Sequence, residues 1–426
     1  MSDLEKRLDT LFRRGLIRKG IARGEDSRQP GGAFRPPLQI RFEGEEVGEG
    51  VEKCLKFRHD FWKDHIHGLA MPVGELLSGI GSSPRLRSRA DEPLLATREE
   101  LLFLDIETTG LAMGTGTYAF LIGTGYFTED GFRIDQYFMR DFTEEEVLLD
   151  LFGEAAQPFR QVVTYNGRIF DLQLLRNRFV MAGMPPPLEG RADLDLLHLS
   201  RRFFRGRTVD CRLATIEREI LGFRRGEDVD GALIPHLYFR YLRTGEFPEL
   251  DLVLQHNCWD ILSMAYLAHF FSRSLEEPFE SCDLHGGAYL RIGAFLEDQG
   301  YEGDPLVERC YREAMRGGIE SPDGYEAARR ISLRLKRQGD HAGASELWLA
   351  MAGERERDDL FPLIELAKYH EHRRRDFRKA LEYAQEAIRR LDSSDHLGDF
   401  RWVDAQKAQL RHRLSRLERR SEKDND

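Results

Sequence analysis

The chain has 426 residues, of which 41% are apolar, 32% charged and 10% aromatic, with a formal charge of −11 at pH 7. That is an ordinary globular composition, which excludes a collagenous, coiled-coil or wholly disordered chain. At roughly 100–200 residues per domain the length suggests two to four domains, enough to bury a core without disulfide staples. Five cysteines, odd in number and widely spaced, define no disulfide framework and point to a reducing compartment. The opening MSDLEKRLDTLFRRG carries no apolar signal region, and no stretch approaches the ~20 apolar residues that span a bilayer. The expectation is a soluble, cytoplasmic protein with no membrane partner. A protein that only coats nucleic acid is usually basic, so the acidic balance speaks against that class, and local charge is the better guide.

Residues 4–17 place Leu4, Leu8, Leu11, Phe12 and Leu16 at helical spacing, which predicts a short amphipathic helix. Residues 18–37, rich in Gly, Pro and charge, read as a flexible linker. Residues 38–94 read as an accessory region with a strand at Leu38–Phe42, a helix near Val51–Asp64 and a Ser/Arg/Pro-rich segment at Ser82–Arg89. Leu101–Leu104 is a short apolar run entering DIETTG and predicts a buried strand. Two more strands are expected at Tyr118–Phe127 and Phe132–Met139, with Gly131 marking the hairpin turn. Thr143–Phe152 predicts a helix with Thr143 as N-cap and Glu146 completing a capping box. Gln161–Tyr165 predicts a strand closed by Asn166-Gly167, with a helix from about Phe170. These alternations make a mixed α/β sheet spanning residues 95–275.

From about residue 284 to 420 the strand signals vanish. Gly303-Asp304, Gly339-Asp340 and Arg375-Asp376 recur 36 residues apart. Each is expected to open a helix bearing an aromatic and a small residue: Tyr311 and Ala314, Trp348 and Ala350, Tyr383 and Ala387. A helical-hairpin period near 34 suggests tetratricopeptide (TPR)-like stacking, with an irregular α-bundle as the alternative. A last helix from about Phe400 to Arg420 would form the cap.

Three segments carry chemistry. In a strand, Asp105 and Glu107 of LLFLDIETTG point to the same face, where two carboxylates crowd unless a cation or a proton neutralises them. Oxygen ligands of this kind suit hard divalent cations. Asp171, in VVTYNGRIFDLQLL, falls in the first turn of a helix after a tight Asn-Gly turn, a place that also tolerates an ordinary anion. His256 and Asp260, in LQHNCWDILSMAYLAHF, share one helical face, roughly 200° from the apolar stripe of Leu254, Cys258, Ile261, Ala265 and Ala268. Singly each has a bland alternative: solvated strand-end residues, a helix-start charge, a surface ion pair worth a few tenths of a kcal/mol. Together they are the parts of a two-metal phosphodiesterase, in which two cations about 3.5–4 Å apart clamp the attacking and leaving oxygens. His256 would take the proton from the attacking water.

DIETTG, NGxxFD and HNxxD resemble the three motifs of the DEDD superfamily of 3′→5′ exonucleases, which have a ribonuclease H-like fold. GTGTYAFLIGTG, DVDGALIPHLYFRYLRTGE and the repeat-like tail resemble more closely the YprB-type ribonuclease H-like family. The resemblance implies an α/β ribonuclease H-like mixed sheet with flanking helices, followed by an all-α TPR-like domain. It implies Asp105, Glu107, Asp171 and Asp260 as ligands of two Mg²⁺ or Mn²⁺ ions, and His256 as general base. His and Asp stand four apart here, whereas the histidine branch of the superfamily usually spaces them five apart. The implied activity is 3′→5′ hydrolysis of nucleic acid from a single-stranded or 3′ end, with DNA in repair preferred. The implied partner of the tail is a protein such as a DNA helicase. RNA as substrate, or an inactive nuclease-like scaffold, are the alternatives.

Secondary signals are weaker. Arg201, Arg202, Arg205, Arg207 and Arg212 with Phe203 and Phe204 suggest either a single-strand contact or a solvated helix end with core phenylalanines. Arg224-Arg225 would extend such a patch. Gly114, Gly116, Gly123 and Gly125 lack a following G-K-[ST] and read as strand-end turns rather than a phosphate loop. Cys54, His59, His65 and His67 match no standard zinc spacing. Asp193 and Asp195 read as structural supports.

Overall fold

The computed structural model describes residues 43–49, 52–77, 85–86, 96–110, 116–279, 286–354, 359–393 and 400–423. The expected helix at 4–17, the linker at 18–37 and the strand at Leu38–Phe42 lie outside them, as does most of Ser82–Arg89.

The described strands are β1 (Gly44–Glu49), β2 (Glu52–Trp62), β3 (Leu101–Thr108), β4 (Ala119–Thr128), β5 (Gly131–Phe138), β6 (Gln161–Thr164) and β7 (Ala192–Asp195). They form one seven-stranded sheet in the order β1-β2-β5-β4-β3-β6-β7. The first five strands in that order pair antiparallel, while β6 and β7 continue the sheet parallel to β3. The mixed sheet expected from the sequence is therefore present, and β1, β2 and β7 are strands that the sequence pattern does not predict.

The helix expected near Val51–Asp64 is instead the long strand β2. Phe57, His59 and Phe61 are buried while Arg58, Asp60 and Trp62 are exposed. That period of two wins because β5 supplies a partner along Leu55–Trp62. The hairpin at Gly131 holds, with Glu129-Asp130 as the turn and Gly131 as the first residue of β5. The cap of the next helix is Asp141 rather than Thr143. Its carboxylate accepts from the Thr143 backbone amide at 2.8 Å and opens a single 3₁₀ turn before α1 (Glu145–Ala156).

The central strand explains itself. Leu101 and Phe103 join the core on one face, and Leu102, Leu104 and Ile106 join the core on the other. A strand buried on both faces needs a continuous apolar run, which LLFL provides. The second face is covered by α1, α2 (Asp171–Met181) and α5 (Ile234–Thr244). The first is covered by α3 (Leu196–Phe204), the one-turn α4 (Leu213–Ile216) and α6 (Leu250–Glu276). Asp105 and Glu107 continue the Leu101–Phe103 face by alternation, toward α6.

Beyond Glu276 the described residues form helices: α7 (Gly286–Asp298), α8 (Pro305–Ala314), α9 (Pro322–Gln338), α10 (His341–Gly353), α11 (Phe361–Tyr369), α12 (Phe377–Ser393) and α13 (Phe400–Lys423). The 36-residue recurrence has a physical basis. Asp304 caps Leu306 N at 2.8 Å, Asp340 caps Gly343 N at 2.9 Å and Asp376 accepts from Lys379 N at 3.0 Å. Tyr311, Ala314, Trp348 and Ala387 are buried, whereas Ala350 faces solvent and Ala344 and Met351 take the inner positions. This helical region shares a core with the sheet. Phe203 packs on Phe271 and Phe295 with ring centroids 5.1 and 5.7 Å apart, and Arg291 Nε donates to the Phe203 carbonyl at 2.8 Å.

Candidate functional site

A cleft of about 270 Å³ opens where β3, the turn after β6 and the start of α2 meet, and Asp105, Glu107, Asn166, Phe170 and Asp171 line it. Strand alternation delivers the first two carboxylates to the same side.

Asp171 arrives by a different device. Asn166 adopts a left-handed backbone (φ 68°), turning the chain sharply out of β6. Asp195 clamps that turn: its carboxylate accepts from the backbone amides of Asn166 (2.8 Å), Arg168 (3.3 Å) and Leu197 (3.0 Å). It thereby caps α3 and the turn together, while Arg168 Nε reaches Asp193 at 2.6 Å. Both acidic residues act as the supports expected of them, and Asp171 becomes the first residue of α2.

The third element is α6. Asn257 Nδ2 donates to the Asp105 carbonyl at 3.1 Å and to its carboxylate at 2.7 Å. Its Oδ1 accepts from Gln136 Nε2 at 2.6 Å. The helix comes this close because Gly123 and Gly125 lie mid-strand in β4. A Cβ at 123 would stand 2.1 Å from Asn257 Oδ1, and one at 125 would stand 2.3 Å from Ile261 Cγ2. They are contact points for a helix, not the strand-end turns anticipated.

His256 and Asp260 lie in a buried ionic network. His256 Nδ1 is 2.9 Å from Asp228 Oδ1, and Nε2 is 3.6 Å from Asp260 Oδ2. Arg225 also pairs with Asp260 and reaches Glu217 through Nε at 2.7 Å and Nη2 at 2.8 Å. It reaches Asp228 at 3.1 Å as well. Its side chain is 9% exposed, so it is no part of a surface patch with Arg224. Phe203 and Phe204 are likewise core residues, which leaves the arginines around them without their aromatic half.

The electrostatics mark this cluster. Burial, then the charges of Asp260, Glu107 and Asp171, hold the Asp105 carboxyl well above its usual range. Burial raises Glu107 to about 8, with Asp260 and Asp171 adding to the rise and His256 opposing it. Burial and then Asp195 raise Asp171 to about 7. Burial works against a charge on His256, yet Asp260, the Asp228 hydrogen bond and Glu107 bring it up to about 10. The structure thus brings the five predicted residues within electrostatic reach of one another. Among the described residues, no three or more His, Cys, Asp or Glu side chains are gathered closely enough to hold a metal ion in this conformation.

Asn257, Gln136, Asp228 and Glu217 support the site although the sequence does not mark them, and Arg225, expected in a surface patch, supports it from within. Asn257 and Asp228 stood inside quoted motifs, HNxxD and DVDG. Gln136 and Glu217 left no local signal, since their partners are distant in sequence.

Two comparisons bear on identity. A model of the RNase_H superfamily matches residues 102–271, the span that holds every carboxylate of the cleft. The chain is also 30% identical, over 344 residues, to the uncharacterized protein YprB of Bacillus subtilis (strain 168), covering 79% of this chain and 81% of that one. No helix among the described residues is long and apolar enough to cross a membrane. A mixed sheet with this carboxylate-lined cleft, matched over most of both chains, places the protein in the YprB-type family of the ribonuclease H superfamily.

Proposed function

We propose that this chain is a divalent-metal-dependent 3′→5′ exonuclease that removes nucleotides from DNA ends in repair. The observation that carries this reading is the crowding of Asp105, Glu107 and Asp171 with Asp260, where shared burial and then like charges push the first three carboxyls above their usual range. The donor set fits Mg²⁺ or Mn²⁺: every proposed ligand is a hard oxygen, and Mg²⁺ typically takes one or two carboxylates plus substrate phosphate rather than an all-protein cage. Two such cations, held by Asp105, Glu107, Asp171 and Asp260, would polarise the phosphodiester and lower the pKa of the attacking water.

The chain's own groups do the rest. Nδ1 of His256 is committed to Asp228. Nε2 is turned toward the cleft-lining Gly231, where a Cβ would stand 3.5 Å from it. Nε2 is therefore the acceptor for the proton of the attacking water. Of the groups that raise this imidazole, Asp260 and Glu107 are ones that bound cations would neutralise, while Asp228 would keep its hold on Nδ1. Arg225 orients Asp260, and Asn257 fixes Asp105. The polarity of attack and the preference for DNA rest on the family resemblance, as does a protein partner such as a DNA helicase for the TPR-like helices.

The test is digestion of a 5′-labelled single strand with Mg²⁺ and with EDTA. A ladder of shortened products is expected with Mg²⁺ and none with EDTA. Asp105→Asn and Asp260→Ala are each expected to lower the rate by more than about 100-fold. Mid-chain cuts, or digestion that persists in both variants, sink the assignment.

A further inference from the structure

A second concave site lies at the far end of α6, away from the carboxylates. A pocket of about 430 Å³ is lined by Phe279, Tyr289, Arg309, Arg312, Glu313 and Arg316. Phe279 and Tyr289 stack with ring centroids 5.1 Å apart and planes 10° from parallel. The guanidinium of Arg309 lies 3.9 Å over the Phe279 ring. Arg309, Arg312 and Arg316 recur at helical spacing along α8 and the turn that follows, and all three are exposed. Arg312 pairs with Glu308 and Arg316 with Glu313, both at 2.7–2.8 Å. Exposed pairs of this kind contribute little and yield readily to a polyanion. Arg309 has no carboxylate partner among the described residues.

We propose that this pocket grips single-stranded nucleic acid, a function that rests on the nuclease reading of the cleft. The arginines take successive phosphates, and a base stacks on the exposed guanidinium of Arg309, which Phe279 and Tyr289 hold flat from beneath. An acidic peptide would use the charges but not the stack. The geometry suits a strand whose end lies in the cleft. Asp260 and Glu276 stand on one continuous helix, about 24 Å apart at 1.5 Å per residue. Phe279 follows three residues past its end. That span is about seven nucleotides at duplex rise, and fewer when the strand is stretched.

The test uses the full chain in EDTA, where binding is read without cleavage, with a fluorescent thymidine strand of about 20 nucleotides. Replacing Arg309, Arg312 and Arg316 together by Gln should weaken binding at least about tenfold and flatten the slope of log affinity against log salt by about 2, at about 0.7 per phosphate contact. Phe279→Leu should cost about tenfold on the thymidine strand and nothing on an abasic strand of equal length. Arg389→Gln, which removes an exposed charge on α12, should bind as the unmodified chain does. Unchanged affinity and slope in the triple variant, equal loss on abasic and normal strands for Phe279→Leu, or no binding by the unmodified chain each overturn the grip. A chain that cleaves nothing, yet loses binding in the triple variant, keeps the grip and loses the nuclease reading.

Discussion

Asn257 holds Asp105 by both its carbonyl and its carboxylate, so one amide fastens α6 to the central strand at the residue that begins the acidic cluster. Asn257 is fully buried, and so is Gln136, whose Nε2 donates to it and to the Leu254 carbonyl at 2.9 Å. Asn257→Ala leaves both neighbours short of a hydrogen bond and opens a void. The expected cost is about 2–4 kcal/mol in urea unfolding, together with a 10- to 100-fold loss of any cleavage that depends on Asp105. A variant within about 0.5 kcal/mol of the unmodified chain would show that the tether carries no weight.

Arg225 is the buried cation among Glu217, Asp228 and Asp260. Glu217 is itself 1% exposed, so removing the guanidinium strands a carboxylate in the interior. Arg225→Met is expected to destabilise by about 3–5 kcal/mol. Adding Glu217→Gln should recover part of that loss, because the stranded charge goes with it. Equal and additive losses in a double-mutant cycle would mean that the two side chains do not interact.

Glycines test how closely helix and sheet approach. Gly125→Ala drives a methyl into Ile261 and Phe132, with Cβ contacts of 2.3 and 2.7 Å. A loss of about 1–3 kcal/mol is expected. A Cβ at Gly116 meets nothing within 4 Å, so Gly116→Ala should be neutral or gain up to about 1 kcal/mol through the unfolded chain. Melting temperatures that rank the two the other way would contradict the packing described.

Stability should fall in mild acid because of buried histidines. Burial holds His59 and His269 down to about 4, and His67 well below its ordinary value. His269 Nδ1 accepts from the Leu77 backbone amide at 3.0 Å, a bond that only the neutral ring can make. A folded pKa below the unfolded 6.5 means this stability is full above 6.5 and is lost as pH falls toward 4. For His269 the shift corresponds to about 3 kcal/mol. Urea midpoints measured from pH 7 to 4 should therefore decline, and less steeply in His269→Asn, whose side-chain oxygen still accepts from Leu77. Parallel declines in the two proteins would remove His269 as a source.

Much of this molecule was legible because its signals are local. LLFL before DIET is the short continuous apolar run that a strand buried on both faces requires, and Asn166-Gly167 ends β6 for reasons internal to two residues. The 36-residue recurrence of aspartates is also local, since each caps the amides just ahead of it. Where the sequence misled, the deciding partner was remote. β2 carries helical and strand spacings at once, and β5 chose between them. Ala192–Asp195 is too short and acidic to announce a strand, yet β6 pairs with it along its whole length. Arg225 beside Arg224 looks like surface charge until Glu217 and Asp260 are found around it.

The sequence by itself determined two pairings: Asp105 with Glu107 at the strand period of two, and His256 with Asp260 at the helical period. Those periods are properties of the backbone and need no tertiary contact. Only the folded chain decided that Asn257 tethers Asp105, that Arg225 is buried with Asp260, and that an arginine–aromatic pocket forms just past the end of α6. Each depends on groups brought together across the sheet, where glycines thin the strand enough for a helix to close on it.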